Sequence, residues 1–348
     1  MTDSCFKVRY RKKLIPKRRL MTATIELTRR CNLNCIHCHN RLSVHECGRK
    51  VLSTKQVCDI LGQMRKAGVM SLIFTGGEPL LRRDFKEIYR FAKKNNFAVN
   101  VNTNATLLTK DMVRFLKNNP PMSLNISCYG VTPGTYESVT RVPGSFSKFQ
   151  GALSLLKGSG VRVIFKFITM KNNFREAARA EVLAQRMGMR YGCFYLLGLR
   201  VDRDQSKNAL IKRQRLNVTE TVELFEGMGE DLRKFFFSFP GCGPVEGCGA
   251  ASLACTVDPQ GWLTPCTYLS APRVSLITTR FDKAWDLLAL RESPVKKKQA
   301  ACKNCRHTTY CRWCPGASYV ETGSTEERIP YYCDLMEGLS RVNAIGSR

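Results

Sequence analysis

The stretch TRRCNLNCIHCHN, residues 28–40, places Cys31, Cys35 and Cys38 in a CxxxCxxC spacing. It follows Thr22–Thr28, an apolar run predicted to be the first strand, so the cysteines lie at the carboxyl end of that strand, where barrel enzymes place their chemistry. Three thiolates on a short loop can hold three irons of a [4Fe–4S] cube and leave the fourth iron open to a ligand. Structural zinc is the alternative, but it normally needs four protein ligands, and no fourth cysteine stands at a matching spacing.

Short apolar runs alternate with helical patterns from residue 21 to about residue 200. This alternation is typical of βαβ units, so we predict an α/β fold with a partial (β/α)6 barrel. Strands are predicted at Thr22–Thr28, Met70–Thr75, Phe97–Thr103, Met122–Cys128, Val161–Thr169 and Arg190–Leu197. Helices are predicted at Asp84–Asn95, at Phe174–Met187, and from the capping box of Ser53 and Gln56 to about Gly68.

Changes in composition divide the chain into four parts. Residues 1–20 form a basic segment, residues 21–200 the barrel, and residues 201–238 a bridging region. Residues 239–348 are rich in cysteine and lack regular periodicity, as expected where metal sites rather than a hydrophobic core organise the chain. We therefore expect a small cysteine-rich domain after the barrel.

A second motif, TGGEP at residues 75–79, follows the second predicted strand, where glycines let backbone groups approach a ligand closely. The cysteine triad followed one βα unit later by GGE resembles the radical S-adenosylmethionine (SAM) superfamily over about residues 20–200. The resemblance implies that the open iron binds SAM, and that one electron cleaves SAM to methionine and a 5'-deoxyadenosyl radical, which takes hydrogen from a substrate. Gly76, Gly77 and Glu78 would contact the methionine ammonium. His37 would lie against the adenine, the alternative being a histidine on a surface loop.

Polar residues follow the next strands at the same predicted edge. NTNATLL places Asn102 and Asn104 after the third strand, SCYG places Ser127 after the fourth, and Lys166 lies on the fifth. These side chains suit hydrogen bonds to the ribose and carboxylate of SAM. Asn and Ser also populate turns for local reasons, so turn chemistry remains an alternative.

Nine cysteines fall in the C-terminal region, in GCGPVEGCGAASLACTVDPQGWLTPC (residues 241–266), in CKNCRHTTYCRWC (residues 302–314) and at Cys333. The pattern resembles the SPASM domain, the auxiliary-cluster extension of the radical SAM superfamily. The resemblance implies two further [4Fe–4S] clusters, three in all. Their ligands would be Cys242, Cys248, Cys266 and Cys314 for one, and Cys302, Cys305, Cys311 and Cys333 for the other.

Two zinc ribbons are the alternative for these cysteines, because paired CxxC groups are also zinc motifs. Cys255 is left over in an apolar run, where a cysteine behaves as a small buried hydrophobe. The VDPQG that follows it is typical of a hairpin turn.

Composition limits the setting and the partners. The chain has 348 residues and 17 cysteines, and 56 Lys and Arg against 28 Asp and Glu give a net charge of +28. The sequence shows no secretory signal and no apolar run of the roughly 18 to 20 residues that span a membrane. We therefore expect a cytoplasmic protein whose cysteines bind metal, and whose charge favours an anionic partner.

The SPASM resemblance implies a ribosomally made peptide as substrate, modified by epimerisation, crosslinking or decarboxylation. Only residues 1–20 precede the first strand, too few for a separate leader-binding module, so we expect leader recognition by another protein or by the enzyme's basic surface. An electron donor such as flavodoxin or ferredoxin is a further expected partner. The alternative substrate is a haem-precursor tetrapyrrole that is decarboxylated. Nucleic-acid binding is suggested by charge alone and has no supporting motif.

Two further cysteines, Cys128 and Cys193, lie on the fourth and sixth predicted strands and are not needed as cluster ligands. Either thiol could donate hydrogen to a substrate radical, the role expected in an epimerase. The alternative is a buried and inert thiol.

Overall fold

The computed structural model describes residues 19–39, 51–229, 248–290, 302, 305–307, 311 and 313–345. The strands are β1 (Thr22–Thr28), β2 (Ser71–Gly76), β3 (Ala98–Thr103), β4 (Ser123–Cys128), β5 (Val163–Ile168), β6 (Arg190–Phe194), β7 (Ala254–Val257), β8 (Trp262–Thr264) and β9 (Val274–Ser275). The barrel helices are α1 (Thr54–Lys66), α2 (Phe85–Lys94), α3 (Lys110–Asn118), α4 (Pro133–Thr140), α5 (Ser145–Leu156) and α6 (Ala177–Arg186). The later helices are α7 (Gln205–Arg213), α8 (Val218–Glu226), α9 (Phe281–Leu290), α10 (Pro315–Thr322) and α11 (Pro330–Ile345).

The described strands form one nine-stranded sheet in the order β6-β5-β4-β3-β2-β1-β7-β8-β9. β1 to β6 run parallel, which confirms the α/β fold with a partial six-stranded barrel. β1 has the predicted bounds, whereas β6 ends at Phe194 rather than at Leu197. The strand stops early because the Leu197 carbonyl accepts hydrogen bonds from the Arg215 guanidinium, at 3.0 and 2.8 Å, instead of from a neighbouring strand.

The C-terminal region extends the same sheet. β7 pairs in parallel with β1, which sets Cys255 beside Ala23, and β8 and β9 continue the sheet antiparallel. The predicted hairpin turn joins β7 to β8: the Asp258 carboxylate accepts hydrogen bonds from the backbone N–H groups of Gln260 and Trp262, both at 2.9 Å. Backbone pairing therefore ties the cysteine-rich region to the barrel, while the predicted boundary at residue 239 lies outside the described residues.

Aromatic side chains fill the space between the sheet and its covering helices. Tyr136 and Phe149 stack with ring centroids 5.0 Å apart, and Phe149 meets Phe165 of β5 edge to face at 6.1 Å. All three rings are fully buried, and burial of such a side chain contributes about 1.5–3 kcal/mol. Successive strand residues point to opposite faces. The neighbours of Phe165 on β5 therefore face the inside of the barrel.

The predicted capping box begins α1. The Ser53 hydroxyl accepts a hydrogen bond from the Gln56 backbone N–H at 3.3 Å, and the Gln56 side chain accepts one from the Ser53 N–H at 2.9 Å. Of the helices in the described ranges, none combines the length and the apolar character needed to cross a bilayer.

Candidate functional site

The cysteine loop is fixed by hydrogen bonds on both sides. On one side the backbone N–H groups of Asn34 and Ile36 donate to carbonyls at the end of α4, at 2.9 and 3.0 Å. On the other side the Gly77 N–H donates to the Thr28 carbonyl at 2.7 Å. These backbone hydrogen bonds set the path of the loop between β2 and α4.

The glycines after β2 allow this close approach. A Cβ at Gly76 would lie 2.2 Å from the Thr28 carbonyl oxygen, and one at Gly77 would lie 2.2 Å from that of Arg30. Gly76 also has a φ of +130°, which other residues rarely adopt. The GGE motif therefore lets the end of β2 pack directly on the start of the cysteine loop.

A cavity of about 370 Å³ opens between the cysteine loop and the carboxyl ends of β2 to β6. Most of the predicted site residues line it: Cys31, Cys35, Cys38, His37, Gly76, Gly77, Asn102, Asn104, Ser127 and Lys166. Residues predicted from five separate loops and strands therefore meet at one place, as the parallel topology requires.

The three cysteines lie close enough to influence one another electrostatically. Burial raises the pKa of Cys31 to about 11, with a smaller contribution from the charge of Cys38. The Cys31 sulfur accepts a hydrogen bond from the Leu33 N–H at 3.4 Å and one from the Asn104 amide at 3.8 Å. Burial also raises the pKa of Cys35, so metal binding at this loop must displace protons.

His37 lies beside Tyr129, with ring centroids 5.1 Å apart. Burial lowers the pKa of His37 to about 3, so the imidazole is neutral. Its Nδ1 is buried and has no hydrogen-bond partner among the described residues. The two rings are tilted by 53°, so a planar base can stack on one of them and meet the other at an angle.

Polar side chains line the floor of the cavity on adjacent strands. The Asn125 amide donates to Asn102 Oδ1 at 2.8 Å, and Ser127 of β4 lies beside Lys166 of β5 in the sheet register. The Lys166 ammonium lies 5.5 Å from the centre of the Phe194 ring, and burial lowers the pKa of Lys166. Hydrogen-bonding groups and one cation are therefore presented to any ligand in the cavity.

Glu78 is fully buried behind the cavity wall, where its charge adds to burial in raising the pKa of Cys31. Its carboxylate accepts hydrogen bonds from the Thr103 hydroxyl at 2.8 Å and the Asn104 N–H at 2.7 Å, and both of these residues line the cavity. Burial raises the pKa of the Glu78 carboxyl to about 7. Glu78 therefore orders the turn after β3 that carries Asn104, and its contact with the methionine ammonium stays a prediction.

Cys128 and Cys193 also lie outside the cavity. Both are buried, with the Cys128 thiol 3.3 Å from the Gly130 carbonyl and the Cys193 thiol 2.9 Å from the Thr169 hydroxyl. Strand alternation is the reason: Ser127 points into the cavity, so its neighbour on β4 points to the opposite face. The structure therefore gives no support to the hydrogen-donor hypothesis and places both thiols as the buried alternative does.

Several cavity residues were not predicted from the sequence. Tyr129 follows β4 directly within the SCYG motif, so its place after a strand was a usable signal. Tyr268 comes from the C-terminal region and stacks on His39 at 5.6 Å. Arg29 lines the cavity too, although its charge alone did not distinguish it from other basic residues. Only the fold brings Tyr268 to the barrel mouth.

The C-terminal cysteines fall into two groups in space. Cys266 lies near Cys314 and Cys248, whose charges add to burial in raising its pKa to about 12. Cys311 lies near Cys333, Cys302 and Cys305, and burial together with these neighbours raises its pKa to about 11. The groups coincide with the two expected ligand sets, except that Cys242 lies outside the described residues. Cys255 is buried on β7, away from both.

The donor set suits an iron-sulfur cluster. A [4Fe–4S] cube takes one thiolate at each of several corners, whereas tetrahedral zinc gathers its ligands at one ion. Three thiols spread along one loop and lining a shared cavity fit the cube.

Comparison with known proteins agrees with this geometry. The profile of the Radical SAM superfamily matches residues 25–184. The AdoMet-dependent heme synthase of Methanosarcina barkeri is 26% identical over 88% of this chain and 94% of its own length. Mycofactocin maturase MftC of Mycobacterium ulcerans is 28% identical over 83% of this chain and 81% of its own length.

A solved structure shares the fold at low sequence identity. Streptococcus suis SuiB bound to the precursor peptide SuiA superposes with a TM-score of 0.69 at 16% identity, over 94% of this chain and 80% of that one. Residues 25–184 of the chain form a radical SAM domain. The protein is therefore an enzyme that uses a [4Fe–4S] cluster and SAM, and its cysteine-rich C-terminal region is consistent with the SPASM extension.

Proposed function

We propose that this enzyme reductively cleaves SAM at a cluster held by Cys31, Cys35 and Cys38, and abstracts hydrogen from a ribosomally made peptide. The proposal rests on the single cavity that these thiols share with the ends of β2 to β6. When bound, the cluster supplies the electron that splits SAM into methionine and a 5'-deoxyadenosyl radical. An electron donor such as flavodoxin or ferredoxin, in the reducing cytoplasm, would be the source of that electron.

Different cavity residues would bind different parts of SAM. The His37 and Tyr129 rings offer a surface for adenine, and the peptide groups of Gly76 and Gly77 line the wall beside the cysteines. Asn102 and Ser127 offer hydrogen bonds to hydroxyl groups, and Lys166 offers a positive charge to a carboxylate. Most of these groups are half-buried, and a bound ligand would displace water from them, which strengthens each polar contact.

The two C-terminal groups of cysteines would hold two auxiliary [4Fe–4S] clusters, giving three clusters in all. Cys248, Cys266 and Cys314 with Cys242 would ligate one, and Cys302, Cys305, Cys311 and Cys333 the other. The first group adjoins the cavity through Tyr268, whose pKa is raised to about 12 by burial and by the charges of Cys314 and Cys266. An auxiliary cluster there would lie on the substrate side of the barrel.

A peptide suits the cavity better than a haem-precursor tetrapyrrole does. The relative named AdoMet-dependent heme synthase keeps the tetrapyrrole as a second possibility. A compact polycarboxylate would need its cations around the catalytic cavity itself, and there only Arg29 and Lys166 supply Lys or Arg charge to the described wall. Arg29 Nη2 donates to Asp258 at 2.8 Å, and Lys166 is assigned to the carboxylate of SAM. The relative named mycofactocin maturase and the SuiB fold also favour a peptide.

The experiment compares the C31A/C35A/C38A variant with the wild type after anaerobic cluster assembly. Wild-type protein should hold about twelve irons, four for each cluster, and the variant about eight, because the auxiliary ligands are intact. The variant should form no 5'-deoxyadenosine, while Cys58→Ser, altered on α1 outside the cavity, should match the wild type. Retained cleavage in the triple variant would contradict the cluster assignment.

Substrate choice is tested by incubation of the reduced wild type and SAM with a short peptide encoded beside this gene, and separately with a haem-precursor tetrapyrrole. A change in peptide mass, or uptake of solvent deuterium at an α-carbon, supports the peptide. Reaction of the tetrapyrrole alone would replace the peptide without altering the cluster assignment.

A further inference from the structure

A second cavity lies beside the catalytic one and is unusually basic. It measures about 530 Å³, and its only charged lining residues among those described are Arg29, Arg30, Arg82, Arg83 and Asp84. We call it the arginine groove. It sits at the carboxyl end of β1 and at the amino end of α1, so it opens at the same edge of the sheet as the catalytic cavity.

Arg82 is occupied by the protein itself. Its guanidinium donates to the Asp84 carboxylate at 2.8 Å and to the carbonyls of Leu27 and Leu52 at 3.0 and 2.9 Å. The guanidinium lowers the pKa of Asp84 to about 2, so Asp84 is ionised and neutralises Arg82. The single acid of the groove is therefore not available to offset the other arginines.

Arg29 joins the two cavities. Its side chain lines both the arginine groove and the catalytic cavity, and its Nη2 donates to Asp258 at 2.8 Å. Its Nε is buried without a hydrogen-bond partner among the described residues. An unpaired buried donor costs about 1–3 kcal/mol, so an acceptor supplied by a ligand would be favourable at this junction.

Arg30 and Arg83 supply uncompensated charge. Both are exposed, and neither side chain takes part in an ion pair or side-chain hydrogen bond with another described residue. The positive end of the α1 dipole adds to their field, because Ser53 and Thr54 at its start also line the groove. Arginine forks of this kind bind carboxylates in charge-assisted hydrogen bonds.

We propose that the arginine groove binds acidic side chains of the substrate, so that the substrate is an acidic peptide that enters the catalytic cavity past Arg29. This inference rests on the peptide function proposed above. An extended chain advances about 3.3–3.6 Å per residue, so neighbouring residues of one peptide can occupy the groove and the cavity together. No aromatic residue is among the described residues that line the groove, which disfavours a nucleic acid because bases need rings on which to stack.

The test measures the binding of a fluorescein-labelled hexaglutamate peptide to the cluster-loaded enzyme by fluorescence anisotropy. We expect R30Q/R83Q to weaken binding at least about tenfold, since each lost charge-assisted contact is worth about one factor of ten. R30K/R83K keeps both charges and should recover part of the affinity. Higher salt should weaken binding to the wild type.

The matched control is R162Q/R190Q, which removes two exposed arginines at the amino ends of β5 and β6, the opposite edge of the sheet. Its affinity for hexaglutamate should stay within about twofold of the wild type, because those charges lie beyond the range of strong attraction. Equal losses of affinity in both double variants would mean that net charge alone explains the binding, which would overturn the proposed site in the groove. Iron content and the circular dichroism of each variant establish that it is folded and loaded.

Two further outcomes separate the alternatives. A single-stranded RNA of equal charge that binds the groove more tightly than hexaglutamate would overturn the peptide in favour of a nucleic acid. The binding assay needs no turnover, so it is independent of the proposed function. If the groove binds hexaglutamate but the enzyme modifies no peptide, the anion site is supported and the peptide function is contradicted. If the enzyme modifies a peptide but R30Q/R83Q binds hexaglutamate unchanged, only the proposed site in the groove is overturned.

Discussion

The barrel packs Phe149 between Tyr136 and Phe165 inside a continuous core, whereas the C-terminal region has a separate cluster of Trp313, Ala317, Ile329 and Tyr332. Cysteines pack around that small cluster, whereas aliphatic and aromatic side chains pack together in the barrel. The main core continues from the barrel into the C-terminal region, where Val257, Phe281 and Leu335 belong to it. Only the part around the cysteines has a small apolar cluster of its own, so this part should depend most on the proposed auxiliary clusters.

The connections between the regions include the parallel pairing of β7 with β1, the Arg29–Asp258 ion pair, and the buried pair of Arg215 and Glu321. Each one starts from a residue of the barrel or its following loops and ends in the C-terminal region. The barrel therefore serves as the template on which the cysteine-rich chain is ordered.

The largest expected effect is in the barrel core. Phe149→Ala removes a ring that is 1% exposed and should lower the free energy of unfolding by about 3–5 kcal/mol. Guanidinium unfolding followed by circular dichroism measures the loss. Val182→Ala, at a side chain that is 44% exposed, is the control and should change little. A small loss at Phe149 would mean that the core does not dominate barrel stability.

Iron removal separates the two regions. After treatment with a chelator and reductant, amide exchange at the starts of α10 and α11, beside Cys314 and Cys333, should speed up at least about tenfold, because ligand loss frees these turns. Later turns of α11 should stay protected, because Leu335, Met336 and Leu339 belong to the main core. Exchange in β2 to β5 should remain slow. Hydrogen exchange with mass spectrometry reads both regions in one sample, and reassembly with iron and sulfide should restore protection. Equal acceleration in the barrel strands would contradict the expected difference between the two regions.

The junction between the regions should show an intermediate effect. Asp258→Asn keeps an acceptor for the hairpin turn but removes the charge that faces Arg29, and should cost about 1.5–3 kcal/mol. Chemical denaturation gives the value. Asp111→Asn breaks an exposed ion pair with Lys86 and should leave stability unchanged, so similar losses in the two variants would argue against a structural junction.

The smallest expected effect concerns a helix cap on the barrel surface. Ser53→Ala removes the acceptor for the Gln56 N–H and should lower stability by about 1 kcal/mol. Thermal unfolding of the wild type and variant measures the difference. Ser154→Ala, inside α5 and exposed, should not be destabilising, because alanine favours a helix interior. A loss of stability at Ser53 as large as that at Phe149 would mean that the core does not dominate barrel stability.

Much of the fold and part of the site were predictable from local patterns. Alternating apolar runs predicted the six parallel strands, and parallel strands bring their carboxyl ends to one edge, so the cysteines, Gly76, Asn102 and Lys166 had to meet there. Strand alternation could also have indicated that Cys128 faces away from the cavity, since its neighbour Ser127 was assigned to the cavity. The burial of the Glu78 side chain was not predictable, because a motif states which residues occur together and not which way each side chain turns.

Spacing and periodicity are local properties of the chain. They were enough to identify the CxxxCxxC triad, the six barrel strands and the cysteine-rich C-terminal region. Folding alone establishes that β7 pairs with β1, that Tyr268 reaches the catalytic cavity, and that Arg29 lies between this cavity and the arginine groove. These relations depend on how residues more than two hundred positions apart pack, as Arg29 and Asp258 do. Such contacts are selected by the free energy of the whole fold and leave no signature in any single stretch of sequence.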